Sequence, residues 1–220
     1  MSHGHQTRNF FLRGPQGKLE AVLWTPNSHA TPSHAALICH PHPLFGGTLH
    51  NKVVYRAAKA LDGLGIPVLR FNFRGAGLSE GKHDRGKGEL EDARSALDFL
   101  ASEFAGTPLL LAGFSFGCWV GLRVGCEDRR VEKLIAIGAP VNTSDFSYLH
   151  ECRKPKLFVQ GAKDEHGDVH QLRRMVEALP GSNELVVVAE ADHFFAGKIE
   201  ELGAAITRWA QASSARSTRD

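Results

Sequence analysis

Apolar residues along the chain fall into two kinds of run that alternate. Short, unbroken runs rich in Val, Ile, Leu and Phe occur at 34–40 (HAALICH), 66–73 (IPVLRFNF), 107–114 (TPLLLAGF), 131–138 (VEKLIAIG), 154–161 (KPKLFVQG) and 184–190 (ELVVVAE), with EAVLWTP at 20–26 as an earlier one. Their length and their Gly and Pro boundaries predict strands, and the continuous apolar character predicts burial on both faces. Between them lie longer segments with helical spacing: 51–65, 89–104, the stretch FGCWVGLRVG from Phe116, and 169–179. In 89–104 the face is Leu90, Ala93, Leu97, Leu100 and Phe104; a last helix aligns Ile199, Leu202, Ile206 and Trp209.

Buried strands alternating with crossover helices predict an α/β fold: a mostly parallel central sheet with helices on both faces. No linker or repeat divides the chain, so the expectation is a single domain over 1–220. Its ordered core is expected at about 8–210, and 211–220 (QASSARSTRD), small and polar, reads as a flexible tail. The 220 residues are enough for one core without staples.

Lys plus Arg number 26 and Asp plus Glu 24, a net charge of +2, which leaves no electrostatic footprint for nucleic acid or an anionic membrane. No apolar run reaches the ~18 residues of a membrane span, and the first residues lack a signal-peptide core. A cytoplasmic protein is expected, with Cys39, Cys118, Cys126 and Cys152 as free thiols rather than two disulfides.

The chemistry concentrates at GFSFG, Gly113–Gly117, between a strand and an apolar helix. A strand turning sharply into a helix presents the apex side chain, Ser115, at the carboxyl end of the sheet. The apex backbone is strained, and flanking side chains would collide, hence the glycines. The following helix aims its N-terminus and the Phe116 N–H at any oxyanion formed there. A serine nucleophile needs a base and an orienting acid. His193 follows the last strand in ELVVVAEADHFF, and Asp164 follows the preceding one in KLFVQGAKDEHGD. Competing acids are Glu165, Asp168 (which reads as a helix N-cap), Asp145 and Asp192.

The segment ICHPHPLFGGT follows the strand at 34–40 and is expected to supply the second oxyanion donor. Pro41 and Pro43 have no N–H, which leaves the Leu44 N–H as first choice and His42 as second. His40 and His42 form an H-x-H pair, but no acidic or Cys partner stands at ligand spacing, so no metal is expected. NFRGAGLSEG (72–81) fails both phosphate-loop patterns: Glu80 stands where a dinucleotide fingerprint needs its third glycine, and Ala76 and His83 break a Walker loop. Arg74 is expected to brace neighbouring loops.

Taken in order, HPHPLFGG, NFRGAGLSEG, GFSFG, GAKDE and ADHFF resemble the α/β-hydrolase superfamily over residues 8–210. More narrowly, the chain is similar to its small lidless bacterial serine hydrolases, the dienelactone-hydrolase-like group. The resemblance implies Ser115 as nucleophile, Asp164 as acid, His193 as base, and the N–H groups of Phe116 and the HPHPLFGG loop as oxyanion donors, with no cofactor. Dienelactone hydrolases proper use cysteine where this chain has serine, so their substrate is not carried over. The expected activity is hydrolysis of carboxylic esters or thioesters of small molecules through an acyl-enzyme. A peptidase, a cofactor-free perhydrolase and a non-catalytic binding module are the alternatives. The segment 139–153 is too short for a cap domain, so an open site lined by His42, Leu44, Phe45, Phe116, Phe146 and Phe194 is expected.

Overall fold

The structure, a computed structural model, describes residues 4–28 and 30–214. Eight strands form one sheet: β1 (His5–Gly14), β2 (Gly17–Pro26), β3 (Ala35–Cys39), β4 (Val68–Phe71), β5 (Leu109–Phe114), β6 (Val131–Ile137), β7 (Lys156–Gly161) and β8 (Asn183–Val188). Their order is β1-β2-β4-β3-β5-β6-β7-β8; β1 and β2 pair antiparallel, β2 meets β4 antiparallel, and β3 to β8 run parallel. Five helices complete the chain: α1 (Lys52–Asp62), α2 (Lys87–Glu103), α3 (Phe116–Glu127), α4 (Val169–Ala178) and α5 (Ile199–Ser214).

The continuous apolar strands are buried on both faces because each face carries its own core. One holds Leu37, Leu111 and Phe158 under α2, α3 and α4; the other holds Ile38, Ala112 and Val159 under α1 and α5. The neighbouring residues Leu37 and Ile38, like Leu111 and Ala112, fall in opposite cores, as the two-residue strand period requires.

Chain order reverses across β3. The connection leaves β3 toward β4 on one side, then α2 carries it back to β5 on the other. In open α/β sheets the crevice at such a reversal, beyond the strand carboxyl ends, is where ligands bind. The segment from β6 to β7 holds a single short 3₁₀ turn, Ser147–Glu151, so no cap covers that end of the sheet.

Two elements depart from the sequence reading. β1 lies on the edge of the sheet with most of its residues exposed, so its apolar residues are confined to Phe10, Phe11 and Leu12; Leu12 is its one buried hydrophobic side chain. Helix α5 continues through Ser214, four residues into the segment read as a tail. Residues 215–220 lie outside the described part.

Candidate active site

The turn from β5 into α3 puts Ser115 at φ 55°, ψ −119°, a conformation that L-residues rarely adopt. Its N–H is held by the Ile137 carbonyl at 2.9 Å. The flanking glycines are sterically required. A Cβ on Gly113 would lie 2.2 Å from the Gly117 carbonyl oxygen, and one on Gly117 would lie 2.4 Å from the carbonyl oxygens of both Cys39 and His40. The elbow is therefore packed directly against the backbone leaving β3.

His193 sits on the loop after β8. Ala191 and Phe195, both fully buried in the α1–α5 core, pin that loop on either side of the imidazole. Asp164 sits on the loop after β7, and that loop is laced to the histidine loop by backbone bonds: Lys163 N–H to the Ala191 carbonyl at 2.8 Å and Ala162 N–H to the Val188 carbonyl at 2.9 Å. A Cβ on Gly161 would strike the carbonyl oxygens of Ala191 and Asp192 at 2.5 and 2.6 Å, so only glycine permits the two loops to approach this closely.

These loops bring the three side chains into one hydrogen-bonded line. His193 Nδ1 lies 2.8 Å from Asp164 Oδ2, and His193 Nε2 lies 2.9 Å from Ser115 Oγ. A carboxylate only accepts, so Nδ1 carries the proton; in the neutral ring Nε2 then accepts from the serine hydroxyl. Asp164 and His193 are 7% and 3% exposed, which shields the ion–dipole contact from water, while Ser115 is half-buried. The carboxylate takes two further donors: Gln160 Nε2 on Oδ2 at 2.8 Å and the His166 N–H on Oδ1 at 2.9 Å. Gln160 is itself saturated, since its Oε1 accepts the Ala139 N–H at 2.9 Å and its Nε2 also reaches the Gly167 carbonyl at 3.1 Å.

The competing acids have other partners. Asp168 caps α4 by accepting the Gln171 N–H, Asp145 accepts from Ser147, and Asp192 accepts the Ala196 N–H. Glu165 is exposed. Near the elbow, burial pushes the Cys39 and Cys118 thiols far up, so neither supplies a thiolate. All four cysteines are free thiols.

The loop after β3 already occupies the first-choice backbone donor. The Leu44 N–H is committed to His42 Nδ1 at 3.2 Å, because Pro43–Phe45 forms a 3₁₀ turn capped by His42. The next N–H groups close the same turn: Phe45 and Gly47 onto the His42 carbonyl, Gly46 onto the Pro43 carbonyl. Among the described residues the His42 N–H has no such partner, and neither does that of Phe116, the first residue of α3. Spacing alone could not show that a turn would consume the Leu44 donor. The other lining expectations divide: Leu44 is 67% exposed and off the cavity, and Phe146 is buried in the core below it.

His40 braces this loop. Its Nδ1 donates to the Pro41 carbonyl at 2.6 Å and its Nε2 accepts the Phe73 N–H at 2.9 Å. Burial lowers its pKa to about 4, so the ring is neutral. With both ring nitrogens used, it has no lone pair left for a metal; among the described residues no cluster of ligating side chains occurs. Arg74 has the bracing role expected of it: Nε and Nη2 grip the Asp92 carboxylate at 2.9 and 2.7 Å, fixing the loop that carries Phe73.

Above Ser115 opens a cavity of about 460 Å³ whose walls include His42, Phe45, Phe116, Thr143, His166 and Phe194. Thr143, His166 and the buried brace Gln160 were not singled out in the sequence. Gln160 left one signal, a buried polar side chain ending the apolar run KLFVQ.

A family model for an alpha/beta hydrolase domain matches residues 39–217. An alpha-beta serine hydrolase homologue from Coxiella burnetii is 40% identical and superposes with a TM-score of 0.86 over 91% of this chain and 96% of that one. A serine hydrolase without a lid from Xanthomonas campestris is 35% identical, with a TM-score of 0.87 and 94% of each chain covered. An uncharacterized protein of Rickettsia prowazekii is 38% identical over 205 residues, 89% of this chain and 85% of its own length. The chain belongs to the alpha/beta hydrolase family, and its architecture is that of the lidless members.

Proposed function

We propose that the protein hydrolyses carboxylic esters or thioesters of small molecules through an acyl-enzyme on Ser115. The observation that carries this reading is the unbroken hydrogen-bonded line from Ser115 Oγ through His193 to the buried Asp164, opening on a cavity. The relatives titled serine hydrolases support the reaction class.

In the first half-reaction Ser115 Oγ bonds to the acyl carbon as its proton passes to His193 Nε2. The imidazolium is stabilised by Asp164, whose carboxylate is oriented by the donors Gln160 and the His166 N–H. Negative charge gathers on the former carbonyl oxygen and is received by the N–H groups of Phe116 and His42, each worth about 3 kcal/mol in the transition state. Both donors are fixed before substrate arrives, one by the strained elbow and one by the capped turn, so little reorganisation is needed. The C–O or C–S bond then breaks, and His193 returns its proton to the departing alkoxide or thiolate. Water repeats the sequence on the acyl-enzyme and frees the acid and Ser115. Every step uses groups of this chain and one water.

The test is covalent trapping. A fluorophosphonate should add one phosphonyl group, mapped by peptide mass to Ser115, and Ser115→Ala should take none. Labelling at another residue, or none in the intact protein, would overturn the assignment.

A further inference from the structure

Two rows of rings flank the Ser115 hydroxyl. On one side Phe45 packs on His42 (centroids 4.7 Å apart) and His42 on Phe116 (4.8 Å). On the other, His166 packs on His193 (4.5 Å) and His193 on Phe194 (5.3 Å). Phe45 is 86% exposed and Phe194 43%, so the mouth shows two large apolar surfaces to water directly beside the nucleophile. Isolated exposed hydrophobics need no explanation, but two that line the same cavity beside a nucleophile mark a binding surface.

The lining is also notable for its charges. No Asp, Glu, Lys or Arg is among the residues that wall the cavity. Asp164 is bonded to the far side of His193, and Lys52 stands outside with its ammonium 5.9 Å from the Phe194 ring centre. Burial, and then the neighbouring His83, favour the neutral form of His42 against a smaller opposing pull from Glu89. A carboxylate or ammonium held against these walls would give up water without an opposite charge among the lining residues.

We propose that the site selects uncharged esters whose acyl group is apolar and larger than acetyl, gripped between Phe45 and Phe194. This rests on the serine-hydrolase reading above. Transfer of each methylene from water to the aromatic slot favours binding, and an acyl chain long enough to reach the rim covers both exposed rings. The slot stops short of a tunnel, because no lid closes over it.

The test uses p-nitrophenyl acetate, butyrate, benzoate and hemisuccinate, which share one leaving group and differ in the acyl part. Butyrate and benzoate should exceed acetate in kcat/KM by about tenfold, and hemisuccinate should fall about tenfold or more below butyrate. Phe45→Ala and Phe194→Ala should each cut the butyrate-to-acetate ratio by about fivefold. Phe45 is almost wholly exposed, so its truncation leaves the core intact. A hemisuccinate rate matching butyrate, or an unchanged ratio in both variants, overturns the substrate class while fluorophosphonate labelling of Ser115 keeps the hydrolase reading. Absence of that labelling overturns both.

Discussion

Ser115 does two things that conflict. Its hydroxyl is held in line with His193, and its backbone sits at positive φ, which costs a non-glycine residue about 1–3 kcal/mol. Two replacements separate the effects: Ser115→Ala removes the hydroxyl and keeps the strain, whereas Ser115→Gly removes both. Glycine loses more chain entropy on folding, by about 0.5–1 kcal/mol, so the relief is partly offset. The glycine variant should still melt about 3 °C above the alanine variant in a thermal scan, both being inactive. An alanine variant that melts at the same temperature or higher would remove the strain from the account. The elbow's glycines were legible in the sequence because the collisions they avoid are local. The commitment of the Leu44 N–H was not, because a 3₁₀ turn redirects it onto a side chain two residues back.

At the scale of elements, His40 joins the loop after β3 to the loop after β4, with both ring nitrogens occupied. Burial holds its folded-state pKa at about 4, against about 6.5 for an unfolded histidine. Between those values the unfolded chain binds a proton that the folded one refuses. The contribution is therefore fully present above about pH 6.5 and is lost as pH falls toward 4, the loss reaching about 2 kcal/mol at pH 5. His34, also lowered to about 4 by burial and then by Lys133, acts in the same direction. His40→Gln, which cannot take the proton, should lose less urea resistance between pH 7 and pH 5 than the wild type. Parallel losses in the two proteins would show that His40 is not a source of the acid sensitivity. The inner strands β3 to β7 were legible because their residues are buried on both faces and leave unbroken apolar runs. β1 was not, since an edge strand with polar residues on both faces shows no alternation and only the short run Phe10 to Leu12. The last turn of α5 was missed for a related reason: Gln211 to Ser214 carry no apolar signal.

At the scale of the molecule, three residues spread over 79 positions of chain meet because each follows a parallel strand and all those strands end at one edge of the sheet. That is why Ser115, Asp164 and His193 could be chosen from order and position alone. Gln160 and His166 could not, since their roles depend on how the β7 loop docks against the β6 and β8 loops. The proposed mechanism requires that the serine and the imidazole act as one unit, and non-additivity is its signature. The most direct measurement is kcat/KM for p-nitrophenyl butyrate in Ser115→Ala, His193→Ala and the double variant. Each single change should cost about 10⁴-fold or more, and the double no more than either. A Ser115→Ala protein within about tenfold of wild type, or losses that multiply in the double variant, would contradict it.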